Sequence, residues 1–316
     1  MFKIFKKFIV NKFLKNLLNF FLKKNNIVIL FRSGTAIGDH VYMSSIVREI
    51  STKLNKKIIL FTNYYEFFIN NPRIYKLFRI KKKNILWFFL NNMRCETILE
   101  FRSIHKDINN KHFLYYHKKK QIHLAQAMSE HFNLNIDYEH LKNEIFFSEK
   151  EIIMYEKKIN LPKKFAVIHS ISKSNYTNNK EWKVEGMQKI VKHFDKINWL
   201  QLGIESDPKL SNCTHLLNLN FRELAYVISK CDFLITYEGL FNHIASCFNK
   251  KNFLIHLGFL PVEAFNYKNN IVIERNKYLE CYPCFSLVCE FHKKFIKNYF
   301  DEKFVIEAIE KNLEKI

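Results

Sequence analysis

The chain has 316 residues, enough for two domains of about 150 residues each. Of these residues 48% are hydrophobic and 16% aromatic, which excludes a disordered chain, and its seven cysteines occur without a secretory cleavage pattern, which argues against a disulfide framework. A formal net charge of +21 calls for an anionic partner: a membrane surface, a phosphorylated ligand or nucleic acid.

Residues 1–24 contain seven lysines, and the first acidic residue of the whole chain is Asp39. Phe2, Phe5, Ile9, Phe13, Leu17 and Phe20 recur at helical spacing with Lys3, Lys6, Lys7, Lys12 and Lys15 between them, which predicts a basic amphipathic helix. Such a helix suits the headgroups of an anionic membrane, where each basic residue contributes about 1 kcal/mol. The alternative is that its apolar face packs on the domain that follows. Lysine interrupts it before a spanning length accumulates, and no small-residue cleavage site follows it.

Residues 27–31 read as a buried strand leading into R-S-G-T-A-I-G-D-H, and helical periodicity follows over 41–54. Gly34 and Gly38 allow a tight turn. Asp39 falls at or near the helix N-cap, where it serves either as a cap or, facing a cleft at the strand end, as a general base. Strands are predicted over 57–62, 74–80 and 97–101, the last running into Arg102. Between 81 and 120 lies a region rich in Lys, His and aromatic residues, including Y-Y-H-K-K-K at 115–120 with Lys118. Its lysines form either a solvated face or a phosphate-binding surface; nucleic acid is the weaker reading, because it needs the basic residues on one surface.

A charged helix and Pro162 precede a strand at 165–169, which places the domain boundary near 155–163. The chain thus divides into a helix at 1–24, a first domain at 25–157 and a second at 158–316, with the last helix, 302–316, able to pack back on the first domain. The second domain opens with H-S-I-S-K-S-N-Y-T-N-N-K-E-W, a polar turn from His169 and Ser170 to Lys180 suited to phosphates. A helix at 184–194, a strand at 199–202, the turn G-I-E-S-D-P with Gly203 and Glu205, and a helix at 221–229 follow.

The stretch from 233 to 258 then reads strand, turn, helix, strand: apolar 233–235, a turn at Tyr237, Glu238 and Gly239, a helix at 241–248 and a strand at 253–257. The N-terminus of that helix presents unpaired N–H groups and the positive end of its dipole, so an anionic or hydroxyl-rich ligand is stabilised there. Only six glycines occur, at 34, 38, 186, 203, 239 and 258, and five of them lie just after predicted strands. Near the end, C-Y-P-C-F-S-L-V-C brings Cys281, Cys284 and Cys289 close in sequence. The first pair has zinc-like spacing, but a structural zinc site wants four ligands and His292 is an unorthodox fourth, so reduced thiols and no metal are expected.

These motifs, in this order, resemble glycosyltransferase family 9, the heptosyltransferase-like enzymes of bacterial surface glycan synthesis. G-T-A-I-G-D at 34–39 looks like that family's first-domain turn, and E-G-L-F-N-H-I-A at 238–245 with L-G at 257–258 looks like its second-domain donor motif. The resemblance runs from about residue 27 to the C-terminus. It implies a GT-B fold, two Rossmann-like α/β domains facing a central cleft, and an inverting, metal-independent transfer of a sugar from a nucleotide-diphosphate donor to a lipid-linked or lipopolysaccharide-core acceptor, with no cofactor. By position, Asp39 would be the catalytic base. His169, Ser170, Lys180, Gly203, Glu205, Glu238, Gly239, Leu240 and His243 would bind the donor, and Gly38, Arg102 and Lys118 the acceptor. Many members carry Asp-Ser-Gly or Asp-Thr-Gly where this chain has Tyr237, Glu238 and Gly239, so the donor sugar does not follow. With the basic helix, the expected place is the inner face of the cytoplasmic membrane. The alternatives are a nucleotide-sugar epimerase of the same fold and a non-catalytic membrane-associated glycan-binding protein.

Overall fold

The computed structural model describes residues 2–313 apart from 33, 35, 82–83, 102–121, 133, 137–138, 140 and 172–176. After helix α1 (Phe2–Lys24), strands β1 (Ile27–Arg32), β2 (Lys57–Thr62), β3 (Ile74–Arg79) and β4 (Ile98–Glu100) form a parallel sheet in the order β3-β2-β1-β4. The central strand, I-V-I-L-F-R, is largely apolar, as a strand covered on both faces must be. Helices α2 (Gly38–Lys53), α3 (Ile85–Asn92) and α4 (Leu124–Ser129) accompany this sheet, and α5 (Glu149–Lys158) leads out of it. Ser148 and Glu151 form a capping box that fixes the start of α5.

The second sheet contains β5 (Ala166–Ile168), β6 (Trp199–Gly203), β7 (Thr214–Leu217), β8 (Phe233–Tyr237), β9 (Lys251–Ile255) and β10 (Asn270–Ile273). All are parallel, in the order β10-β9-β8-β5-β6-β7. Its helices are α6 (Val184–His193), α7 (Phe221–Lys230), α8 (Leu240–Cys247), α9 (Glu290–Tyr299) and α10 (Glu302–Leu313). The architecture is therefore the expected pair of Rossmann-like α/β units. The short segments T-H-L-L of β7 and N-I-V-I of β10, and helices α3, α4 and α9, carry too few periodic positions to be read from sequence.

The two units share a core. Tyr42, Ile46 and Val47 of α2 belong to the same buried cluster as Phe241, Ile244 and Ala245 of α8, and these two helices pack on each other. Arg222 of α7 adds a polar tie: it pairs with both carboxylate oxygens of Glu151 at 2.6 and 2.9 Å and donates to the carbonyls of Glu66 and Phe146 at 2.9 and 2.6 Å.

Two expectations are corrected. Among the described residues the last helix packs on the second unit and not back on the first: Val305 and Ile309 of α10 are buried in one cluster with Ile273 and Phe253 of the second sheet. Nor is α1 simply amphipathic. Leu18 and Leu22 pack with Trp87 and Leu90 of α3 and with Phe31, while Phe13, Leu17, Phe20 and Phe21 stay exposed, so apolar side chains lie on two faces.

Candidate functional site

Two strand ends bring the site together. β1 ends at Arg32 and α2 starts at Gly38; β8 ends at Tyr237 and α8 starts at Leu240. Where α2 and α8 meet, a Cβ on Gly38 would stand 2.9 Å from His243 Cδ2 and 3.6 Å from the Leu240 nitrogen. The two separated motifs thus touch through a position that admits no side chain. Gly239 adopts φ 143° and ψ −152°, a region open essentially to glycine alone. It turns the chain from β8 into α8 and directs that helix's N-terminus towards Gly38.

Asp39 is not the cap of α2. The cap position is Ile37, without a side-chain hydrogen bond, and the Asp39 carboxylate instead lies 2.5 Å from Arg32 Nη2 with both side chains buried. Arg32 Nη1 donates to the Phe101 carbonyl at 3.0 Å, so the guanidinium is fixed by the sheet and holds the carboxylate in one orientation. Sequence reading passed over Arg32; the available signal was a basic residue ending a buried apolar strand. Next to Asp39, His40 Nδ1 donates to the Ala36 carbonyl at 3.0 Å. Burial, helped by the Arg32 charge, lowers its imidazole to about 3, so it stays neutral. Burial and then the Asp39 charge push the Tyr42 phenol well above its ordinary value.

On the other side, His243 Nδ1 and the Tyr267 hydroxyl are 2.6 Å apart, and Asn143 Nδ2 donates to Tyr267 at 2.9 Å and to Ser246 at 2.8 Å. The rings of Tyr42 and His123 flank this group, at 5.5 Å from His243 and 4.8 Å from Tyr267. Tyr267, Asn143 and His123 had no sequence motif to mark them.

Glu238 is the next element. Its side chain is 3% exposed, with Oε1 2.9 Å from Lys180 Nζ and Oε2 3.6 Å from His256 Nε2, yet neither oxygen accepts a well-aligned hydrogen bond among the described residues. Lys180 also lies over the rings of Phe259 and Phe265, 4.9 and 5.3 Å from their centroids. His169 stacks on Phe241 at 4.0 Å, and burial lowers its imidazole to about 4.

Not every expected residue joins this group. Ser170 is fully buried, donates to the Pro208 carbonyl at 3.1 Å and accepts from Gln201 at 3.0 Å, which makes it part of the sheet's interior. Gly203 and Glu205 lie after β6, two strands and roughly 9–10 Å from β8, where Gly203 accepts from Asn218 N at 2.9 Å and Glu205 pairs with Lys209. Arg102 and Lys118 lie outside the described residues.

The three C-terminal cysteines do converge. Their sulfurs lie within 4.8 Å of one another, with Cys281 and Cys289 at 3.5 Å, whereas His292 directs Nε2 to the Leu257 carbonyl at 2.8 Å. Burial raises the Cys281 thiol to about 12. Burial also opposes ionisation of Cys289, but the N–H of His292, the neighbouring thiols and the N–H of Phe291 outweigh it and lower that thiol.

No protein-family model and no curated protein matches the sequence. Solved structures do share its fold. A family 9 glycosyltransferase from Veillonella parvula DSM 2008 superposes with a TM-score of 0.65 at 14% identity, covering 92% of this chain and 98% of that one. The E. coli ADP-heptose lipopolysaccharide heptosyltransferase II gives 0.64 at 12% identity, with 92% and 99% covered. TibC, an iron-containing dodecameric glycosyltransferase from enterotoxigenic E. coli H10407, gives 0.64 at 10% identity, with 92% and 76% covered. The fold of this chain is the GT-B fold of these glycosyltransferases.

Proposed function

We propose that the protein is a glycosyltransferase that moves a sugar from a nucleotide-diphosphate donor to a hydroxyl of a lipid-linked or lipopolysaccharide-core acceptor, with inversion and without a catalytic metal. The observation that carries this reading is the contact of Gly38, the neighbour of Asp39, with His243 and the start of α8. An inverting transfer needs a base on one side of the reacting carbon and stabilisation of a leaving diphosphate on the other. Asp39, held by Arg32, takes the proton of the acceptor hydroxyl as its oxygen bonds to the anomeric carbon. The bond to the diphosphate oxygen breaks, and the released charge is met by Lys180 and the N-terminal N–H groups of α8. Glu238, with two buried oxygens lacking aligned donors, suits the hydroxyls of a ribose or sugar.

A place on the membrane fits α1 and α3. No helix among the described residues is long and apolar enough to cross a membrane. The lysine-rich α1 nevertheless exposes Phe13 and Phe20 at 67% and 66%, beside an α3 that exposes Ile85, Phe88 and Phe89. Together they form a surface suited to an anionic bilayer, as expected of an enzyme whose acceptor sits at the inner face of the cytoplasmic membrane.

The test is a thermal-shift panel of nucleotide diphosphates followed by a transfer assay with the one that binds. Asp39→Asn is expected to keep the nucleotide shift and lose transfer. No shift with any nucleotide diphosphate, or transfer undiminished in Asp39→Asn, overturns the reading. Donor turnover without an acceptor points to the epimerase instead.

A further inference from the structure

We propose that His256 is a positioning residue for the donor diphosphate: its imidazole holds one oxygen of Glu238 while Lys180 holds the other, so that the carboxylate fixes the Lys180 ammonium in place. The inference rests on the transferase reading and extends it to a side chain that touches no substrate. It starts from the register of the second sheet. Tyr237, Ile255 and Ile273 end β8, β9 and β10, and Ile255 pairs in register with both of the others. The next residue on each strand is Glu238, His256 and Glu274. These three side chains therefore stand in a row across neighbouring strand ends, where an open α/β sheet binds its ligand. His256 N donates to the Ile273 carbonyl at 3.0 Å, which carries the ladder up to the row.

The row has a direction. Asn276 Nδ2, a group that can only donate, lies 2.9 Å from His256 Nδ1 and also donates to the Glu274 carboxylate. Nδ1 of His256 is therefore an acceptor, and the ring proton sits on Nε2, the nitrogen that faces Glu238 Oε2 at 3.6 Å. Lys180 Nζ faces the other oxygen, Oε1, at 2.9 Å. The 3.6 Å contact is longer than a formed hydrogen bond, and Glu238 Oε2 and His256 Nε2 are both buried without another partner among the described residues. Contacts of this kind tighten when a ligand closes on the site. Gly258, at φ 79°, leaves room for the amide that sets the tautomer: a Cβ there would stand 3.1 Å from Asn276 Oδ1. Of the three groups joined at Glu238, the histidine is 0% and the carboxylate 3% exposed, whereas Lys180 is 15% exposed. A ligand thus meets the ammonium, and the imidazole acts on it through the carboxylate.

The test is calorimetric titration of the full chain with ADP, GDP, UDP and CDP and with the matching monophosphates. For the nucleotide that binds, His256→Leu is expected to weaken the diphosphate about tenfold, the worth of one hydrogen bond to a charged group, and to leave the monophosphate within about twofold. His256→Gln, whose amide N–H can stand in for Nε2–H, should restore most of that loss. In a Glu238→Gln background, His256→Leu should add no further loss, because the histidine acts only through the carboxylate. Unchanged far-ultraviolet circular dichroism marks each variant as folded. If His256→Leu does not fold, Asn276→Ala, which removes the donor that sets the tautomer, carries the test with the same expected selectivity for the diphosphate. Undiminished diphosphate binding in His256→Leu overturns the proposal. So does an equal loss for monophosphate and diphosphate, or the same loss in the Glu238→Gln background. Absence of binding by every nucleotide in the unmutated chain overturns the transferase reading and this inference together, whereas binding without the His256 effect overturns this inference alone.

Discussion

Gly38 and His243 are 205 positions apart in the chain, yet the hydrogen that Gly38 carries in place of a side chain is what lets the two helix starts close on each other. The added methyl of an alanine would stand 2.9 Å from a ring that is itself tethered to Tyr267 at 2.6 Å and cannot swing away. Helix propensity favours alanine over glycine by up to about 1 kcal/mol. Overpacking costs about 1–3 kcal/mol and wins. Gly38→Ala is expected to lower the thermal midpoint and weaken nucleotide binding, and the loss should shrink in a His243→Ala background. Equal losses in both backgrounds would mean that the contact does not matter.

Gly239 separates backbone strain from crowding. A Cβ there meets nothing within 4 Å, so any effect of Gly239→Ala comes from its φ of 143°. The expected cost is about 1–3 kcal/mol, or a turn of α8 away from Gly38 that shows as lost nucleotide binding. An alanine variant as stable and as tight-binding as the unmutated chain would contradict the turn's role.

The Lys180 and Glu238 pair should behave as a buried ion pair does. Lys180→Ala leaves a carboxylate at 3% exposure without its cation, a loss on the order of 3–5 kcal/mol. Adding Glu238→Gln removes the stranded charge and should recover much of it. Denaturant unfolding of the two single variants and the double variant gives the coupling energy; strict additivity would show the pair to be energetically idle.

Acid should destabilise the fold earlier than carboxylate protonation alone requires. His40 and His169 titrate at about 3 and about 4 in the native state, both lowered by burial, and His292 is lowered in the same sense. An unfolded histidine titrates near about 6.5, so below that pH the unfolded chain binds more protons and gains on the folded one. This part of the stability is whole above about pH 6.5 and is lost as the pH falls towards 4 and then 3. His169→Gln should flatten the upper part of that slope in thermal midpoints measured from pH 7 to 4, and an unchanged slope would remove His169 from the explanation.

Much of the architecture was legible because each β-to-α step carries its own punctuation. Gly38 with Asp39, and Glu238 with Gly239, stood out as turns after apolar runs, and the structure brings the two turns together where α2 meets α8. What was not legible is what surrounds them. Arg32 reads as the last residue of a strand, and nothing local says that it will hold Asp39. Tyr267 and Asn143 reach His243 only through the three-dimensional fold. Nor was it legible that the Ser170 hydroxyl, in a polar turn after a strand, would bond the Pro208 carbonyl and Gln201. Glycine scarcity was a partial guide, since only Gly239 and Gly258 have positive φ, while Gly186 is there to admit the Trp182 ring, 2.5 Å from where its Cβ would be.

The packing of α2 on α8 also bears on how the molecule comes apart. Tyr42, Ile46 and Val47 share one buried cluster with Phe241 and Ile244, so a first half released by proteolysis near residue 160 would present apolar side chains of that cluster to water. Melting should thus be cooperative, one transition for both sheets with calorimetric and van't Hoff enthalpies in agreement, and each half expressed separately should aggregate unless the other is supplied.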